Sequence, residues 1–510
     1  MDLIERPPLQ DAHMLQDALH CQVAAEEPDD FTKMFPELDP FAPDTDAVIH
    51  NVRELGRRDG LMDARDPRVT VTNPIGANPI RNPDNPNPDM TVGFTFLGQF
   101  IDHDLTFDPM PIRRGQTKSP NLRSRFFDLD SVYGRGPDKD RHLYDRASEL
   151  DRAAPIKFLI DFDAPRDLPR TSQQRAIIAD PRNDENVIIS QLHLAFLRFH
   201  NEVTDHLAVT RAADLALLEP TERPRKLFEW AQCSVRRHYQ WIVVNQFLTA
   251  TLDPVVFAAV ESNGPEVYRE EMTEKIPREF QVAAYRFGHS QIRPGYKLNV
   301  GFGAPIFDRR VDPREGDPND LRGGRRAPRR FVEWDNFFDF GTKEIDQDTG
   351  NVVDKVKQNK RIDPYLSSPL FDLPVGPGLI EPDDDLKSLA GRNLERHLQH
   401  GIASGQDIAA RFHYTALTAA ETAELHPLGF RDSTPLWYYV LKEALIQHHG
   451  QRLGQVGSRI VAEVFFGLLE ADPQSYRNVR GGWTPDLPRR NGTRGGPFTM
   501  TDLLTFAGVA

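Results

Sequence analysis

Cysteine is almost missing from this chain. Two occur in 510 residues, Cys21 and Cys233, too few for a disulfide framework or for a zinc site built from repeated cysteine pairs, so a reducing compartment is open to it. No apolar run reaches 18 residues, and no membrane span is expected. The opening MDLIERPPLQDAHMLQDALH lacks a basic start followed by an apolar stretch, so no cleaved leader is expected, and the compartment stays open, export by a signal-independent route included. An excess of positive charge is missing too. The 62 Lys and Arg against 76 Asp and Glu leave a net charge of −14, which disfavours a general nucleic-acid binder. Neither H-E-x-x-H nor G-x-S-x-G occurs, which removes the usual signatures of a zinc protease and a serine hydrolase. No period of 20 to 50 residues marks a solenoid or propeller.

With 39% hydrophobic and 27% charged residues, the chain has the composition of a protein that buries a large core. Residues 1–45 are acidic and proline-punctuated and read as an arm or surface wrap, leaving 46–510 as one domain. The segment NPIGANPIRNPDNPNPD, 73–89, has too many prolines for a continuous helix or a central strand, and reads as a surface passage. From Thr91 onward, apolar residues recur at spacings of three and four, notably over 186–207, 225–250, 386–400 and 436–470. The expected fold is therefore mainly α, a single large helical domain with few short strands. The Arg, Gly and Pro rich stretch between Arg309 and Trp334 reads as an excursion without regular packing.

Four stretches carry candidate chemistry. In TVGFTFLGQFIDHDLTFDP, 91–109, Gln99, Asp102 and His103 fall at i, i+3 and i+4 of a helix whose other residues are mostly Phe, Leu and Ile. Such a polar face asks for a ligand, although a histidine capped by its own aspartate in a core network explains it equally. In ADPRNDENVIISQLHLAFLRFHNEVTDHL, 179–207, Asn183 or Asp184 is placed to cap a long helix, with Arg182 and Glu185 three apart before it. A solvated pair at a helix start explains the same spacing, and His193 and His200 read as packing residues. In REFQVAAYRFGHSQIRP, 278–294, His289 stands at a helix end, where most histidines are structural. In DDLKSLAGRNLERHLQHGIASGQ, 384–406, Asn393 sits in mid-helix with Arg396 nearby, a position that favours a side-chain partner or plain solvent exposure.

Taken in this order, GQFIDHDLTFDP, DPRNDEN with LRFHN, YRFGHSQIRP and RNLERHLQHGIASGQ resemble the animal haem peroxidase superfamily, and most closely its bacterial members of this length. The tail PLWYYVLKEALIQHHGQRLGQVGSRIVAEVFFGLLEADPQSY and the ending FTMTDLLTFAGV are similar to the same branch, so the resemblance runs from about residue 45 to the end.

The resemblance implies haem b with His289 as axial ligand, Asn393 accepting from its other ring nitrogen, and Arg286 and Arg396 among the residues that hold the cofactor. His103 would be the base that takes a proton from peroxide, Arg182 would stabilise the charge that develops, and Gln99 would hold water or an anion. Asp102 and Glu185 match the carboxylates that form ester links to haem. Asn186 replaces the methionine that makes a third link in some members. A Ca2+ site is implied at Asp104, Ser124, the Phe126 carbonyl, Asp128 and Asp130, with Ser124 standing where threonine is usual and Asp130 where serine is.

The implied activity is peroxidase: reduction of hydrogen peroxide with oxidation of a small-molecule electron donor, whether halide, thiocyanate or phenolic. Two alternatives share the fold. A fatty-acid dioxygenase carries a tyrosine three residues before the proximal histidine, where this chain has Arg286, its nearest tyrosine being Tyr285. A non-enzymatic adhesion or structural protein would have lost the haem, against which the set of His103, Arg182 and His289 argues. The donor and the oligomeric state do not follow from the sequence.

Overall fold

A computed structural model describes residues 29–67, 86–108, 120–145, 156–161, 166–269, 275–308, 310–311, 316–346, 349–373, 387–493 and 496–510. Residues 1–28 of the arm and 73–85 of the proline-rich passage lie outside these. The fold is mainly α-helical with few short strands, as expected from the periodicity. The helices that shape the molecule are α1 (Asp46–Gly56), α2 (Gly93–Leu105), α3 (Val187–Thr210), α4 (Arg223–Ile242), α5 (Leu389–Gln399), α6 (Leu436–His448) and α7 (Gln455–Ala471).

Strands among the described residues form antiparallel pairs: β1 (Asp29–Asp30) with β3 (Pro120–Asn121), β2 (Pro86–Thr91) with β8 (Gln358–Lys360), β4 (Gly295–Asn299) with β5 (Phe302–Pro305), and β6 (Lys343–Ile345) with β7 (Val352–Asp354). The end of the proline-rich passage is thus a strand after all. Pro86 is its first residue and the register slips between Asn87 and Thr91, the two places where a strand tolerates proline.

The centre is α2 lying across α3, which in turn runs along α4. Phe100 stacks on Phe196 with ring centroids 4.5 Å apart, and both belong to one continuous apolar core. Both ends of α2 are clamped. Its first residue, Gly93, donates its N–H to Phe337 O at 2.9 Å. At the other end Asn121 bonds Leu105 O at 2.9 Å and the Phe107 N–H at 2.8 Å, satisfying groups that a helix terminus leaves unpaired.

Helix α3 is capped by Asn186, whose Oδ1 accepts from the N–H of Ile188 and Ile189, rather than by Asn183 or Asp184. Those two belong to a 3₁₀ turn, Pro181–Asp184, that precedes the helix. The 436–470 periodicity is interrupted where His449 and Gly450 adopt positive φ, 51° and 75°, separating α6 from α7. Glu443 of α6 then accepts from the N–H groups of Val456 and Gly457, at the N-terminal end of α7.

Two segments expected at the surface contribute to the interior. Residues 31–41 bury Phe31, Met34, Phe35 and Phe41, and the N–H groups of Met34 and Phe35 donate to Glu279. The Arg-rich stretch is pinned by Arg326, which pairs with Asp184 at 3.1 Å and Asp167 at 3.6 Å, and by Arg170, which holds the same two carboxylates and donates to Gly324 O at 2.9 Å. Low apolar content predicts an excursion, but guanidiniums bury readily when carboxylates and carbonyls receive them.

The same stretch forms a backing for the Arg182–Glu185 turn. Val187 N–H donates to Leu321 O and Gly323 N–H to Glu185 O, both at 2.9 Å. A Cβ on Gly323 would sit 1.4 Å from Asp184 O, so no other residue fits without moving the turn. Gly323→Ala is expected to lower stability by about 1–3 kcal/mol, the cost of overpacking a closed site. An unchanged denaturant midpoint would show that the contact yields freely.

Candidate active site

On α2, His103 is buried while Gln99 and Asp102 are half-buried, so the three polar residues expected on one face do share it. His103 Nδ1 lies 2.9 Å from Asn183 Oδ1. An amide oxygen only accepts, so the ring proton is on Nδ1 and Nε2 carries the lone pair. Glu185 Oε1 lies 4.0 Å from Nε2. Burial first, and then the charge of Arg182, lowers the His103 pKa to about 4, which leaves the ring neutral at ordinary pH.

Arg182 is held by a fork. Its Nε and Nη2 donate to Asp180 at 3.1 and 2.7 Å, and Nη2 also donates to His103 O at 2.9 Å. The guanidinium lies over the Phe107 ring, 4.4 Å from its centroid. Among the described residues nothing bonds Nη1. Asp180 is fully buried and also pairs with Arg123 at 2.9 Å. Burial works to raise its pKa, yet Arg123 and Arg182 overcome it and hold the carboxyl well below the usual range.

Glu185 is the informative residue. Close to half of its side-chain surface, 47%, is accessible, yet burial is the main cause that pushes its pKa up to about 7. A group both deep and accessible lines an internal hollow. Gln99 Nε2 donates to Glu185 Oε1 in a short contact, and Gln99 Oε1 accepts from Asn186 Nδ2 at 3.3 Å. Gln99, expected to hold water or an anion, therefore has both ends of its amide engaged. Asp102, the other expected ester carboxylate, accepts from Thr106 Oγ1 at 3.0 Å.

The segment carrying His289 is an irregular helix, a π turn over Glu279–Ala283 followed by a 3₁₀ stretch, Ala284–Gln291. It packs on α2, with Tyr285 OH donating to Gly98 O at 3.2 Å. His289 Nδ1 is 2.8 Å from Asn393 Nδ2 on α5, and Asn393 Oδ1 accepts from Arg286 Nη1 at 2.8 Å. Asn393 thus reaches His289 as expected, but with the opposite end of its amide. In this arrangement His289 Nδ1 accepts.

His289 Nε2 has no partner among the described residues, and a Cβ built on Gly288 would meet nothing within 4 Å. Open space therefore lies beside His289. Burial, then Arg286, lowers the His289 pKa to about 3, and burial followed by Arg396 lowers that of Arg286 to about 10. Arg286 also feels Asp102 and Arg182, which places the two halves of the site within electrostatic reach. Arg396 pairs with Asp108 at 3.3 Å.

Asp104 points away from the hollow into an acidic cluster with Asp128 and Asp130, whose carboxylate oxygens lie within 4.8 Å of one another. Ser124 Oγ donates to Asp128 at 2.9 Å and Ser124 N–H to Asp130 at 2.9 Å, while Phe126 N–H donates to Ser124 Oγ. Burial and the neighbouring aspartates raise the Asp104 pKa well above normal. Burial lifts Asp130 to about 7 although Arg123 stands 3.7 Å away. Oxygen donors crowded this closely suit a hard dication. A separate cleft of about 490 Å3, lined by Arg58, Asp66, Pro305, Phe307, Asp308 and Ser368, contains none of these groups.

Residues 110–301 match the animal haem peroxidase family. The matched stretch holds the Asp128–Asp130 loop, Arg182, Glu185 and His289, while His103 and Asn393 lie outside it. Related proteins include a dual oxidase of Drosophila melanogaster, 24% identical over 328 residues, 61% of this chain and 19% of that protein. A peroxidase-like protein of Margaritifera margaritifera is 26% identical over 375 residues, 60% of this chain and 43% of that one. These matches thus span less than half of the relatives' own length.

The fold is similar to that of peroxidase A from Dictyostelium discoideum, with TM-score 0.51, 15% identity and 89% of each chain covered. It is equally similar to a fatty acid alpha-dioxygenase of Arabidopsis thaliana, with TM-score 0.52, 14% identity, and 88% of this chain and 73% of that one covered.

Sequence reasoning missed Asn183, which it considered only as a helix cap, and His193. Asn183 Nδ2 is 3.0 Å from His193 Nδ1, and both side chains are fully buried. The signal available was a polar pair inside an apolar helix face. The raised pKa of Glu185 has a consequence for stability. A carboxyl at about 7 when folded, against 4.5 ordinarily, binds more protons in the folded chain across that window, so its contribution falls as pH rises through it. Thermal unfolding of Glu185→Gln should show less loss of midpoint from pH 4.5 to 7 than the wild type. A constant offset at all pH values would contradict the assignment.

Proposed function

We propose that this chain is a haem-dependent peroxidase, reducing hydrogen peroxide and oxidising a small-molecule donor. The observation that carries the reading is three polar atoms without a hydrogen-bond partner among the described residues, His103 Nε2, Arg182 Nη1 and His289 Nε2, on segments that pack together. The space beside Gly288 and the accessible, deep carboxylate of Glu185 fit a flat cofactor. The neutral imidazole nitrogen of His289 is a donor that a haem iron accepts.

His289 would hold the iron, Arg286 and Arg396 would face the cofactor's anionic edge, and Asp102 and Glu185 are our candidates for ester attachment. Bound there, haem supplies the iron that takes up peroxide and the oxidising equivalents passed to the donor. Ligation through Nε2 needs the His289 proton on Nδ1, hence the Asn393 amide turned so that its oxygen faces the ring, and Arg286 would then give up that acceptor.

His103 Nε2 takes the proton of the incoming peroxide and returns it to the leaving oxygen. Arg182 Nη1 offers a fixed positive charge where negative charge develops, its orientation set beforehand by Asp180. A halide, thiocyanate or phenol would meet the same hollow. The motifs and tail quoted above support a place in the bacterial branch of the family.

The dioxygenase alternative needs a tyrosine aimed at the cofactor. Arg286 stands at the usual position, and Tyr285 has its hydroxyl on Gly98 O and its ring stacked 4.8 Å from Phe280, so the peroxidase reading is favoured.

The test is the Soret band of the haem-supplemented protein before and after a slight excess of peroxide. The band should shift, then return when a phenolic or halide donor is added. His289→Ala should lose haem, and retention of a normal band would sink the axial role. His103→Ala should keep haem and react about 10²–10⁴-fold more slowly. The wild-type rate should hold from neutral pH downward and fall as pH drops through about 4, where His103 gains its proton.

We propose Ca2+ at Asp104, Asp128 and Asp130. Chelation should lower the thermal midpoint and added Ca2+ should restore it, and Asp104→Asn should abolish that response. A midpoint indifferent to chelator and Ca2+ would remove the site.

A further inference from the structure

We infer that Asn183 and His193 are positioning residues that fix the tautomer of His103, keeping its proton on Nδ1 and its Nε2 lone pair toward the hollow. The part this gives His103 rests on the proposed function, whereas the tautomer itself does not.

An asparagine next to a histidine is an ambiguous partner, because its amide offers an acceptor at one end and a donor at the other. With Asn183 Oδ1 toward His103, the ring must donate from Nδ1, and Nε2 is free to accept a proton. With the amide reversed, Nδ2 would need a lone pair on Nδ1, the ring proton would move to Nε2, and the base would be lost. The local contacts of Asn183 and His103 alone permit either state.

The choice is shared with His193. Its Nδ1 lies 3.0 Å from Asn183 Nδ2; with that nitrogen accepting, Asn183 Oδ1 faces His103 at 2.9 Å, so one amide couples the tautomers of the two rings. His193 stands on α3 with 0% exposure, its ring 6.3 Å from that of Phe100, and its Nε2 is buried with no partner. An imidazole that strands one N–H in an apolar core is a poorer packing residue than leucine. Its other nitrogen is the feature leucine cannot supply.

The chain also explains why an asparagine suffices at position 183. A carboxylate there would orient His103 without help, since both its oxygens accept, but it would add a further charge to a pocket that already holds Asp180 and Glu185.

The tautomer can be read directly in the full-length chain labelled with 15N-histidine. The His103 signals are those missing from His103→Gln. Wild type should show one tautomer, protonated at Nδ1. His193→Leu should show a mixture or the reverse, while His193→Gln, whose Oε1 accepts from Asn183, should keep the wild-type pattern.

In the haem-supplemented protein, His193→Leu should slow the reaction with peroxide by about tenfold or more, a fraction of what general-base catalysis supplies. Asn183→Asp combined with His193→Leu should recover most of that loss, because the carboxylate no longer needs orienting. A wild-type tautomer pattern in His193→Leu, or a rate loss that Asn183→Asp leaves untouched, would overturn the inference. Should His103→Gln react as fast as wild type, the functional reading fails, and the spectra alone decide the tautomer.

Discussion

Everything around the hollow depends on one buried carboxylate. Asp180 receives Arg182 in a fork and Arg123 from the other side, and the Phe107 ring lies under both guanidiniums, 4.4 and 5.5 Å from their carbons. Through Arg182 it reaches the backbone of His103, and through Arg123 it reaches Asp130 in the acidic loop. Removing one member of a buried ion network leaves a bare charge, typically at about 3–5 kcal/mol, so these groups stand or fall together. The arrangement adds little net stability over an apolar core of the same shape. Its yield is an arginine whose remaining nitrogen is aimed without freedom to turn.

Burial then does chemical work at both ends of the site. Desolvation penalises the protonated imidazole, so His103 and His289 are both neutral at ordinary pH. Neutrality suits the two tasks proposed for them, one ring offering a lone pair to a proton and the other a lone pair to a metal. What separates them is the group on Nδ1. His103 meets an amide oxygen and His289 an amide nitrogen, so the first is already in the state its task requires and the second reaches that state only when Asn393 turns.

The candidate residues were legible as local patterns: Gln99, Asp102 and His103 on one helical face, Arg182 and Glu185 in one turn, and His289 before a proline. The mainly helical fold followed from spacings of three and four. Partnerships between distant segments were not legible. Nothing local in the stretch from Asp320 to Arg330 announces that Arg326 meets Asp167 and Asp184, or that Gly323 must pass against the backbone of Asp184. Composition reads such a stretch as solvated, and only the fold supplies the carboxylates. His193 does pack in the core as read, but its contact with the Asn183 amide was not legible, because it forms only when the turn before the helix folds back.

Fold similarity alone does not decide the chemistry. This chain is about as close in shape to a peroxidase as to a fatty acid alpha-dioxygenase, so the distinction must come from side chains at matched places. Three residues before His289 the chain has an arginine, tied to Asn393 and to the Gln281 carbonyl. A guanidinium there cannot be oxidised to a radical that abstracts hydrogen, whereas it can face an anionic cofactor edge and bias the amide beside the proximal histidine. The adjacent tyrosine has its hydroxyl committed to the backbone of α2. With Arg286 in the place of the tyrosine and the Tyr285 hydroxyl donating to Gly98 O, the side chains before His289 favour the proposed peroxidase over a dioxygenase.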